Sequence, residues 1–301
     1  MNRDTLVKRF AQAGLVLKLS DKPLSRVVRG GFDIVQIDIQ RKINGSRRQE
    51  WFTIYPGHED NRIEVVGTDK RIGQLVLLVH EPAREFEVQL PRHEVGKRRT
   101  VEEVAESQHL PVRQVRKVNG EFYRVMKTPS QKRHFLCGLD ERQLFIAQLV
   151  RAVTTVKEAH DSLKTATVTL AEGNVGKATR QGEWFLLNAT DAEKDRITTG
   201  LAQNILVVER NVPIGPFIEA LGRRFGKKVR QGVGKPHTAD ELVVLPGDPL
   251  AHGFAVRSRE VFVRGKVRHA DHKTVAFKQW VKVIRNTESN AGSVAGVGWI
   301  D

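Results

Sequence analysis

The chain has 301 residues, with 50 Lys and Arg against 35 Asp and Glu, for a formal net charge of +15. Its one cysteine, Cys137, excludes an intramolecular disulfide framework and a cysteine-ligated zinc module, and an apolar content of 40% with 25 glycines excludes disorder over most of the length. The length predicts two domains, the longest apolar runs (75–79 and 205–208) are too short for a membrane-spanning helix, and the N-terminus lacks the apolar core of an export signal, which predicts a cytoplasmic protein.

In chain order, Asp4 is placed to cap a first helix with Leu6, Val7, Phe10 and Ala13 on one face and Gly14 at its end. Strands are predicted over 32–39 and 51–55 around an Asn44-Gly45 turn, over 62–66 and 74–79, and over 85–90. Thr128-Pro129-Ser130-Gln131 marks a boundary between a β-rich basic domain (1–130) and an α+β domain (131–288). The start of the second domain reads equally as a hairpin around 138–141 or as a helix from Asp140 with Gln143 as its capping partner. Thr155 and Glu158 have capping-box spacing ahead of an apolar stripe of Val156, Ala159 and Leu163. Strands over 184–187 and 204–208, an amphipathic helix over 213–225 and a hairpin of 261–267 with 274–283 follow, and 289–301 reads as a flexible tail of small residues. The fold class is α+β, two domains that are each mainly antiparallel β with a few short helices.

The charge is unevenly placed. Residues 1–130 carry 24 basic and 17 acidic side chains, 131–220 carry 11 of each, and 221–301 carry 15 and 7. Within the first basic block, Val104, Ala105, Leu110, Val115 and Val118 have the spacing by which two steeply crossed helices pack, and the stretch 100–118 resembles a helix-turn-helix. That resemblance implies a second helix in the major groove presenting Arg113, Gln114, Arg116 and Lys117, with Lys97, Arg98 and Arg99 on phosphates. A competing reading keeps the helix at 100–107 and turns the rest into a hairpin around Asn119-Gly120.

Two more basic clusters are candidate nucleic-acid contacts. Arg223, Arg224, Lys227, Lys228, Arg230 and Lys235 are interleaved with glycines, as suits a phosphate-tracking loop. Arg264, Lys266 and Arg268 alternate along one strand and so share a face with Phe262. A different chemistry is offered by His237, His269, Asp271 and His272, whose nitrogen and oxygen donors suit zinc or manganese. Against it stands the ordinary use of Asp and His in turns.

These readings predict a nucleic-acid-binding protein that uses basic surfaces at both ends of the chain without catalysis or a cofactor, DNA being favoured over RNA. The alternatives are a metal-dependent nucleic-acid-processing enzyme centred on His237, His269, Asp271 and His272, and a scaffold that binds an acidic protein partner. No membrane is expected as a partner.

Overall fold

The computed structural model describes residues 2–24, 34–44, 47–90, 95, 100–141, 143–215, 236–246, 259–270 and 272–287. The architecture is α+β, and nearly all its strand pairing is antiparallel. No described helix is long and apolar enough to cross a membrane.

The apolar run at 75–79 explains the centre of the molecule. It lies in β5 (Gln74–Glu81), an inner strand of a four-stranded sheet ordered β10 (Gln143–Leu149), β9 (Gln131–Asp140), β5 and β4 (Arg62–Asp69). Leu75, Leu77 and Val79 face one core with Phe135 and Cys137, whereas Val76 faces another with Leu136. A strand covered on both faces reads as continuous apolar sequence instead of alternating. On the first face lie α1 (Arg3–Gln12) and the small sheet of β1 (Leu17–Leu19), β3 (Arg47–Tyr55) and β2 (Gln36–Asn44), with β1 parallel to β3. On the second lie α3 (Val156–Leu163), which follows α2 (Val101–Ser107), and α4 (Ala166–Val175).

The third sheet holds six strands in the order β11 (Thr179–Gln181), β12 (Trp184–Asn188), β16 (Val275–Arg285), β15 (Arg259–Arg268), β14 (Thr238–Pro246) and β13 (Glu209–Pro213). Strand β12 joins two cores, because Phe185 and Leu187 pack under α3 and α4 while Trp184 and Leu186 pack with Val261, Val263 and Val281. Part of the sheet's other face buries Val243, Phe262 and Trp280 against Ile197 of α5 (Asp191–Ala202). The remaining sheet is β6 (Arg84–Gln89), β8 (Glu121–Thr128) and β7 (Val115–Val118), closed over Val104 and Ala105 of α2.

Several expectations are corrected. The helix-turn-helix does not form: α2 is followed by one 3-10 turn at Val112–Gln114 and then by β7, with Val118 opposite Glu121. Asn119 (φ 50) and Gly120 (φ 83) make the tight hairpin turn that decides this, since a two-residue Asn-Gly loop matches the twist of paired strands. His109 does adopt the left-handed conformation (φ 51) that a helix end needs, with Leu110 N–H bonded to Ala105 O at 2.8 Å and His109 N–H to Glu106 O at 3.1 Å. The boundary expected at 128–131 is crossed by sheet pairing, because β9 runs beside β5 from Gln131 opposite Glu81 to Gly138 opposite Gln74. The open choice at 135–149 resolves to the hairpin β9–β10, with Glu141 at φ 55 in its turn. Residues 204–208 are not a strand but the turn after α5, in which Ile205 and Val207 are exposed. Asn2, not Asp4, caps α1, its side chain accepting from Thr5 N–H at 3.1 Å. The capping box of Thr155 and Glu158 is present. The expected helix over 213–225, beyond residue 215, and the tail at 289–301 lie outside the described residues.

Candidate metal centre

The final hairpin supplies the site. Thr238 pairs with Arg268 in the β14–β15 ladder, so the next residues outward, His237 and His269, face each other across the strand ends. Their rings stack with centroids 4.2 Å apart and planes 18° apart. The turn from β15 to β16 brings His272 back over them, with its ring 5.6 Å from His237 and 4.9 Å from His269. One potential ligand nitrogen from each of the three lies within 4.8 Å of the others. A tetrahedral zinc with Zn–N of about 2.05 Å holds its nitrogens ~3.3 Å apart, so ring movements of about 1 Å close the set.

Burial makes this cluster unlike a group of surface histidines. His237 and His269 are 3% and 7% exposed, and His272 is half-buried. Nε2 of His237 and Nε2 of His272 are buried with no hydrogen-bond partner among the described residues. A polar atom left in that condition costs roughly 1–3 kcal/mol. Burial, reinforced by the neighbouring His269 and His272, pushes the His237 imidazole down to about 3, so at neutral pH it keeps its lone pair for a metal.

The histidines are held from outside by a polar frame. The two-residue turn Gly182-Glu183 of the β11–β12 hairpin lies against them, with Gly182 at φ 56. Glu183 Oε1 is 3.8 Å from His237 Nδ1, on the ring edge opposite the unbonded Nε2, where a carboxylate orients a ligating imidazole. Lys273, next to His272, is fixed at both ends of its backbone: its N–H donates to Glu141, and its carbonyl accepts from Gln181 Nε2 at 2.7 Å. Arg180 Nε donates to Gly182 O at 3.0 Å, and its Nη1 meets His160 Nδ1 at 3.4 Å. Gln74 Nε2 donates to Leu139 O at 3.2 Å, so its Oε1 is the acceptor for His160 Nε2–H at 2.7 Å, leaving Nδ1 to accept from Arg180. Burial first, and Arg180 second, lower the His160 pKa and keep that ring neutral.

Of the metal ligands read from the sequence, the structure brings together His237, His269 and His272, and Asp271 lies outside the described residues. An all-imidazole donor set favours zinc over manganese, which prefers oxygen ligands. The sequence reading missed Gly182, Glu183, Gln181, Arg180, Glu141 and His160. A glycine between two strand-like halves at 179–187 was the one signal for the turn, and nothing local tied it to residues 237 and 269–272.

The expected nucleic-acid residues sit elsewhere or are already engaged. Lys97, Arg98, Arg99, Arg223, Arg224, Lys227, Lys228, Arg230 and Lys235 lie outside the described residues. Arg113 and Gln114 belong to the 3-10 turn and Arg116 and Lys117 to β7, so no helix presents them to a groove. Arg116 pairs with Glu87 and with Glu85 at 3.3 Å. The cationic face of β15 is largely neutralised: Arg264 pairs with Glu241 at 2.6 Å and covers the Trp280 ring at 4.5 Å, and Arg268 pairs with Asp240 at 2.5 Å. Lys266 is exposed, and its N–H donates to Asp240 at 2.8 Å. Phe262, expected as a surface aromatic, is fully buried. Cys137 is also fully buried, and burial raises its thiol pKa, which leaves no thiolate for chemistry.

Comparison with known protein families, with curated proteins and with solved structures finds no match to this chain.

Proposed function

We propose that this protein binds one zinc-class divalent metal through His237, His269 and His272 and brings it to nucleic acid, which its +15 charge attracts. The observation that carries the reading is the convergence of three imidazoles from two separate chain segments, with two buried ring nitrogens left without hydrogen bonds among the described residues. A metal replaces those missing bonds, and the neutral state of His237 removes the proton competition that binding otherwise meets. The nucleic-acid half rests on charge: the acidic partners of Arg116, Arg264 and Arg268 leave the chain's excess of cations to other positions.

Metal analysis of the purified protein tests the first half. One equivalent of zinc that is lost in the His269→Ala, His272→Ala double variant supports it, and a metal-free protein that takes up no zinc on titration overturns it. For the second half, binding of single- and double-stranded DNA and RNA is measured across a salt series. Neutralised phosphates release counterions, so log affinity must fall steeply with log salt; a slope near zero overturns nucleic acid as the partner.

A further inference from the structure

The geometry beside the histidines says more than that a metal binds. A side chain at Gly182 would place its Cβ 3.1 Å from His272 Nε2 and 3.4 Å from His237 Nε2. Those are the two ring nitrogens that have no hydrogen bond among the described residues. In a tetrahedral zinc site the donor atoms are ~3.3 Å apart, so the point that a Cβ would take is at the distance of a fourth ligand from both nitrogens. The residue is glycine, at φ 56, so that point is free of side chain.

We infer that Gly182 keeps a fourth coordination position open on the His237, His269 and His272 centre, and that this position takes water or a small anion such as a phosphate oxygen. The inference rests on the metal reading above and separates two kinds of centre. A structural zinc site is closed by four protein ligands, whereas three protein ligands with an exchangeable fourth position let the metal polarise an oxygen or lower the pKa of bound water to about 7. The surroundings fit the open kind. Glu183 stands on the Nδ1 side of His237 and so supports the ring from behind without occupying the Nε2 side. His272, the most exposed of the three rings, marks the side from which a ligand arrives. The turn that carries Gly182 is fixed by Arg180 at its carbonyl, and the turn that carries His272 is fixed by Glu141 and Gln181, so the space between them is set by the fold.

The test uses the full chain loaded with Co(II), whose visible bands report coordination, and azide and inorganic phosphate as exchangeable probes. The native protein should bind one equivalent of Co(II), and its spectrum should shift in a saturable way with azide and, in competition, with phosphate. Gly182→Ala should retain Co(II) while its azide affinity falls by about tenfold or more. Alanine is also strained at a positive φ, so Gly182→Asn, which tolerates that backbone but carries the same Cβ, distinguishes occlusion from strain. Both variants losing the azide response supports the inference, and recovery of the native response in the asparagine variant overturns it. The native titration needs no variant. Co(II) bound with a spectrum indifferent to both anions overturns the open position and leaves the metal reading standing; failure to bind Co(II) or zinc overturns the metal reading itself.

Discussion

Two buried polar groups in this chain were built on opposite terms. Under the small sheet of β1, β3 and β2, Glu81 and Arg133 form an ion pair at 2.7 Å with both side chains 8% exposed, and Glu81 also accepts from Val35 N–H at 2.7 Å. Both oxygens of that carboxylate are used, one by a cation and one by backbone. At the end of the six-stranded sheet, His237 is equally buried, and its Nε2 has no partner among the described residues. The Glu81 carboxylate is satisfied by the fold alone, although Arg133 Nε is buried with no hydrogen-bond partner among the described residues. The Nε2 atoms of His237 and His272 have no hydrogen bond among the described residues and converge on one another, and a carboxylate held by a cation and by backbone does not; that difference is the physical reason to assign stability to the first group and ligand binding to the second.

The largest expected effect breaks the first group. Arg133→Met leaves Glu81 as an uncompensated buried charge and should lower unfolding free energy by about 3–5 kcal/mol, read from urea denaturation. A loss below about 1 kcal/mol would mean that the pair does not hold the sheet. The matched change in the second group behaves differently. With chelator present, His237→Leu removes a buried nitrogen that has no hydrogen bond among the described residues and should leave stability unchanged or raise it, by up to about 3 kcal/mol. Zinc at 100 to 1,000 times its dissociation constant should stabilise the native protein by about 3–4 kcal/mol and the variant by none. A large destabilisation of the chelated variant would show that His237 is a packing residue and nothing more.

The same contrast explains what was legible in the sequence. Element types followed from local signals wherever one dominated: the capping box at Thr155, the apolar run at 75–79, and the Asn119-Gly120 turn that fixes β7 against β8. The helix-turn-helix spacing misled because Val104, Ala105, Leu110 and Val115 do share one core, but across a helix and a strand. An apolar contact pattern records which residues meet, not the backbone that presents them. Residues 204–208 mislead because an apolar run does not by itself mean burial: Leu206 and Val208 pack on the core beneath α5, while Ile205 and Val207 are exposed. The metal centre was half legible, since His269 and His272 are neighbours in the chain. His237 joins them through the β14–β15 register, and Gly182 through the β11–β12 turn, where Gln181 bonds the Lys273 carbonyl although the ladder sets Trp184 opposite Arg285 at the other end of β16; neither leaves a trace in local sequence.

A smaller effect sharpens the account of the second group. Glu183 faces His237 Nδ1 at 3.8 Å, and metal binding at Nε2 draws the Nδ1 proton toward it. Glu183→Gln keeps the shape and removes the charge, so zinc affinity should weaken by about tenfold, toward the lower end of the range for partners of ligating histidines. Competition against a chromophoric chelator reads this directly. Unchanged affinity would place Glu183 outside the metal's influence.

The smallest effect concerns the frame. His160 is neutral in the folded protein, with its pKa lowered by burial and by Arg180, while in the unfolded chain it titrates near the ordinary histidine value of about 6.5. As pH falls below that value the unfolded chain takes up a proton that the folded one refuses, so this residue makes stability decline toward acid pH. The decline begins at the unfolded pKa and stops once the folded pKa is passed. His160→Gln removes the titration, and its plot of unfolding free energy against pH between about 7 and 5 should be flatter than that of the native protein. The native protein should also lose its azide response as His160 takes up a proton, because an imidazolium cannot accept from Arg180, and Arg180 holds the Gly182 carbonyl. Parallel slopes for the two proteins would show that His160 already exchanges its proton freely in the fold, and the polar frame around Gly182 would then have to be held by Arg180 alone.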